Sequence, residues 1–135
     1  MEAKDFLSFA IDRASAINVL WNLWLGVATG VVGFMVSGKE FTQGIVLRAF
    51  VSVAFGLFAY SNLNAILRLG NLREALLQAI PLDLPNRAAI IEGLSPAEPV
   101  EYITFHVVID VVVLGVIWAA PFNRLVTKLR SARSN

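Results

Sequence analysis

Residues 102–122 read Tyr-Ile-Thr-Phe-His-Val-Val-Ile-Asp-Val-Val-Val-Leu-Gly-Val-Ile-Trp-Ala-Ala-Pro-Phe. As a helix, at about 1.5 Å per residue, the stretch is long enough to cross a hydrocarbon layer about 30 Å thick. Yet it carries the only histidine of the chain, His106, and an aspartate, Asp110, one helical turn later. An acid inside a span costs several kcal/mol unless it is paired, protonated or wet. Other helices must therefore surround this pair.

The rest of the chain offers such helices. Of 135 residues, 57% are hydrophobic and 16% charged. Soluble domains average about 45–50% apolar and about 25% charged. The fold class expected is an all-α membrane protein, one integral membrane domain over residues 1–135. The chain has no cysteine, which excludes disulfides, thiolate metal sites and cysteine nucleophiles. Its net charge of +1 gives no field that would point to nucleic acid.

The first expected span is 17–36, which has no charged residue. Trp21 and Trp24 near its start suit the interface. Asn18, Asn22, Gly26, Gly30 and Gly33 recur every three or four residues, and the Gly26/Gly30 pair lets another helix approach closely. Glu2, Asp5 and Asp12 precede this run, whereas a signal peptide has a basic start, so it reads as a retained helix. Residues 1–16 mix Phe6, Leu7, Phe9 and Ile11 with charges and read as a short helix at the membrane surface.

Residues 37–42 read as a polar turn containing Gly38, Lys39 and Glu40. The second expected span, 44–67, begins with Arg48, placed to snorkel to that surface. Ser52, Gly56, Tyr60 and Asn64 form a stripe four residues apart, and Ser61 and Asn62 add polarity at the same end.

In the long connection, Leu69, Leu72, Leu76 and Ile80 continue the second span as an amphipathic helix ending at Pro81. A short helix over 87–93 is too polar to be a fourth span. Ser95, Pro96 and Glu98 look like a helix start, with Pro99 in conflict. At the far end Pro121 is expected to kink the third span, and the helix runs on through a tail carrying Arg124, Lys128, Arg130 and Arg133, cations suited to lipid headgroups.

Three spans place the amino terminus and the long connection on one side. Basic residues divide five against six, and the dense basic tail decides for a cytoplasmic carboxyl terminus and an outer amino terminus in a bacterial inner membrane.

With the spans side by side, all three become polar at one depth in the outer half: Asn18 and Asn22, then Tyr60, Asn62 and Asn64, then Thr104, His106 and Asp110. The inner half is slim, with Gly26, Gly30, Gly33, Ser52, Gly56 and Gly115. His106 and Asp110 share one helix face. They form either a proton or cation site, or a clamp in which Asp110 accepts hydrogen bonds from His106, Asn22, Tyr60 or Asn64. No enzyme chemistry, cofactor or metal is expected. A lone histidine gives no bis-histidine haem site in one chain, no glycine-rich phosphate loop follows a strand, and no Gly-x-Ser-x-Gly occurs.

Three helices enclose no aqueous path easily, so a homo-oligomer or a subunit of a larger membrane complex is expected, with the lipid bilayer as its other partner. The function expected first is a small oligomeric channel or transporter with a proton or cation site in the outer half of the bilayer. Its alternatives are a structural or accessory subunit, with the polar layer as interhelical glue, and a pore former that resembles one class of phage holins in layout alone.

Overall fold

The computed structural model describes residues 3–37, 42 and 44–133, and the side chains of 4–37, 42 and 44–119 among them. Gly38, Lys39 and Glu40 lie outside the described residues. The side chains of Arg124, Lys128, Arg130 and Arg133 also lie outside them.

Four helices follow in order: α1 (Ala3–Val36), α2 (Ile45–Gln78), α3 (Arg87–Leu94) and α4 (Pro99–Arg133). No strand occurs among the described residues. Three helices are long and apolar enough to cross a membrane, one within Lys4–Val36, one within Ile45–Gln78 and one ending at Ala119. The side chains are arranged accordingly. Val46 and Leu57 are 80% and 65% exposed, whereas His106 is fully buried. Large apolar groups face out, while the interior is mostly apolar as well and holds a few polar side chains, His106 and Asn62 among them.

The spans are portions of longer rods. Each of α1 and α2 has 34 residues, about 51 Å of helix. The expected surface helix over 1–16 is therefore not a separate element. No proline or glycine interrupts 3–16, and the segment is the first part of α1. Part of its apolar surface meets protein: Ala10 packs with Leu77 and Ile80, and Phe6 and Leu7 lie against that cluster with Leu84, Ile90 and Ile91, whereas Phe9 and Ile11 stay exposed. A second cluster lies toward the other end, formed by Ala28 and Met35 of α1, Phe55 and Ala59 of α2, and Val113 and Ile117 of α4.

α2 ends at Gln78, followed by Ala79 as its cap. Arg87 then reaches back: Nε donates to the Ile80 carbonyl at 3.0 Å and a terminal nitrogen donates to the Gln78 carbonyl at 3.3 Å. A cation here also meets the negative end of the helix dipole. The chain turns through Asn86, whose φ of 58° is left-handed, a conformation that asparagine tolerates better than most residues.

Two local expectations change. Ser95 does not cap α4. Its hydroxyl donates to the Ile91 carbonyl at 2.7 Å and closes α3 instead. α4 starts at Pro99, where a missing N–H costs nothing in the first turn. Arg48 does not reach outward either. It is 8% exposed, and its Nε donates to the Thr42 carbonyl at 3.2 Å.

Candidate functional site

The centre of the bundle holds a polar chain built from all three long helices. One turn of α4 brings His106 and Asp110 onto the same face, and His106 Nδ1 donates to Asp110 Oδ2 at 2.9 Å. From α1, Trp24 Nε1 donates to the other carboxylate oxygen, Oδ1, at 3.1 Å. From α2, the amide nitrogen of Asn62 lies 3.4 Å from His106 Nε2. With that amide donating, Nε2 is the acceptor and the imidazole proton sits on Nδ1. The order is Asn62, His106, Asp110, Trp24, so one hydrogen-bonded line joins α2, α4 and α1.

The line is sealed by rings. The Trp24 ring lies 4.1 Å from the imidazole, inclined by 30°. Trp21 contacts Trp24, Tyr102, Phe105 and His106 with centroids at 5.3, 6.0, 5.5 and 5.7 Å. Trp24 and His106 are fully buried and Asn62 is nearly so. The Asp110 side chain keeps 21% of its surface exposed. In such surroundings each polar atom depends on its partner, because an unpaired buried donor costs about 1–3 kcal/mol.

Four residues expected near the pair are placed elsewhere. Asn22 and Thr104 are exposed. Tyr60 is 70% exposed. Asn64 folds back along its own helix, its amide donating to the Tyr60 carbonyl at 2.8 Å. The small residues also divide. Ser52 accepts a hydrogen bond from Trp118 Nε1 at 3.2 Å and links α2 to α4. Gly26, Gly30, Gly33 and Gly56 are exposed, and a Cβ on any of them would meet nothing within 4 Å. They do not draw the three helices of one chain together.

Two members of the line carry sequence signals that favoured other roles. Trp24 reads as an interface anchor, and Asn62 as one of several polar groups at the end of a span. The usable signal was spacing. Trp24 falls on the same face as Ile17 and Ala28, and Asn62 on the same face as Phe55, Ala59 and Ile66, all of them buried.

No group of three or more histidine, cysteine or acidic side chains that could hold a metal ion occurs among the described residues. The fold and site define a bundle of three helices long and apolar enough to cross a membrane, with a hydrogen-bonded histidine and aspartate inside it. No protein-family model matches this chain, and no curated protein or solved structure is significantly similar to it.

Proposed function

We propose that this chain is a structural subunit of a membrane assembly, not an enzyme. Its three long helices cross a bacterial inner membrane, with the amino terminus outside and the carboxyl terminus in the cytoplasm. The amphipathic connection, with α3, stands on the outer side. The tail cations Arg124, Lys128, Arg130 and Arg133 bind lipid headgroups on the inner side. The observation that carries the reading is the bonding of the acid: both oxygens of Asp110 are engaged by donors, one of them on another helix. Such an arrangement fixes how helices are rotated against one another.

The reading is tested by extraction from native membranes in a mild detergent. The chain is expected to migrate in a complex, and migration as a lone monomer would count against a subunit role.

A second reading, a channel or transporter with a proton or cation site at His106 and Asp110, is favoured by the partial exposure of Asp110. It is separated by reconstitution. Under the structural reading, vesicles holding the protein keep an imposed pH gradient. A leak that Asp110→Asn abolishes would establish the proton path instead.

A further inference from the structure

The outer face of α1 differs from the outer faces of its neighbours. Its buried face is Ala10, Ile17, Trp24, Ala28 and Met35. On the opposite side lie Ser15, Asn18, Asn22, Gly26, Thr29 and Gly33, all exposed, with Val19 and Leu23 beside them. None of the four polar side chains has a hydrogen-bond partner among the described residues. Tyr60, Ser61 and Thr104 are exposed near one end of α2 and α4, but the outer face of α2 otherwise presents Val46, Phe50, Val53 and Leu57, and that of α4 presents Val108 and Val111. Those are side chains that lipid tails cover at no cost.

Lipid covers the α1 face poorly. Asn22 lies about nine residues, or about 14 Å, beyond Arg13, the last charged residue before the apolar stretch. Acyl chains offer an amide no hydrogen bond. A second helix does. Amide and hydroxyl groups each donate and accept, so this face is complementary to itself. The open space at Gly26 and Gly33 lets two backbones approach.

We infer that the outer face of α1 is the surface on which copies of this chain associate, with Asn18 and Asn22 hydrogen-bonding between subunits. This rests on the proposal that the chain is a membrane-embedded subunit, and it names the neighbour as another copy. The self-complementary polar groups meet about a symmetry axis, as in closed homo-oligomers.

The natural chain lacks cysteine, so single cysteines report contacts directly. Ser15→Cys, Val19→Cys and Thr29→Cys are oxidised in native membranes beside Val53→Cys and Val108→Cys. Covalent dimers are expected from the first three and not from the last two. Equal dimer formation on all faces, no dimer from the α1 face, or capture there of a different protein would overturn the inference. Gly26→Leu combined with Gly33→Leu is expected to leave the bundle folded, since each site is open, and to reduce crosslinking at Thr29→Cys at least tenfold. Undiminished crosslinking would also overturn it. Alkaline carbonate extraction of the same membranes separates the two levels of argument. Retention with no α1 dimer sinks the self-association alone, whereas release into the wash sinks the membrane reading itself.

Discussion

Trp24 Nε1 and Asp110 Oδ1 are 3.1 Å apart, although 86 positions separate them in the chain. That contact joins α1 to α4 and gives the acid its second donor. Trp24→Phe keeps a six-membered ring near the imidazole but deletes the N–H and leaves a cavity where the rest of the fully buried indole stood. The expected loss is about 2–4 kcal/mol, the sum of a lost buried hydrogen bond and the cavity left by the smaller ring. Trp118→Phe, which deletes the exposed bond to Ser52, is expected to cost less than about 1 kcal/mol. Thermal unfolding in one detergent ranks the two, and equal losses would deny the central line its importance.

His106 is the only histidine, so its ring nitrogens can be observed without overlap. In protein labelled with nitrogen-15 histidine, NMR should show Nδ1 carrying the proton shared with Asp110 and Nε2 as the acceptor. Asn62→Leu should shift the Nε2 resonance and leave Nδ1 bonded to Asp110. A spectrum dominated by the Nε2–H form would contradict the order of bonds along the line.

Arg87 ties the end of α2 to the start of α3 through two carbonyls. Arg87→Ala removes both bonds at a partly exposed site, so the global cost expected is about 1 kcal/mol. Its local effect is sharper. Amide exchange over residues 79–94 should accelerate while the centres of α1, α2 and α4 keep their protection. Uniform acceleration along the chain would mean that α3 and the long helices unfold together.

Arg73 presents the opposite case, because its Nε is buried without a hydrogen-bond partner. Such a group stabilises little, and replacing it with an apolar side chain of similar length is neutral or favourable. Arg73→Met is expected to hold the unfolding temperature or raise it slightly. A clear drop would reveal a partner for the guanidinium in the assembled protein.

Several features are legible in the sequence alone. The three apolar runs, the continuation of the second toward Pro81 and the short helix after Asn86 follow from length, charge and proline placement. So does the meeting of His106 and Asp110, because residues four apart on a helix share a face whatever surrounds them. Residues 1–16 read as a separate surface helix because their apolar side chains alternate with charges. Leu77 and Ile80 cover Ala10 instead, and no local pattern announces a contact so distant in sequence.

By itself, then, the sequence determined which segments are long apolar helices and that one of them carries an acid in need of company. Tertiary structure decided which neighbours supply it: Trp24 and Asn62, with Asn22, Tyr60 and Asn64 turned away. In water, periodicity reveals the inner face of a helix because its two sides contrast. Here lipid-facing and core-facing positions are both apolar, the contrast is lost, and the rotation of each helix about its axis is settled only when the bonds and rings of all three interlock.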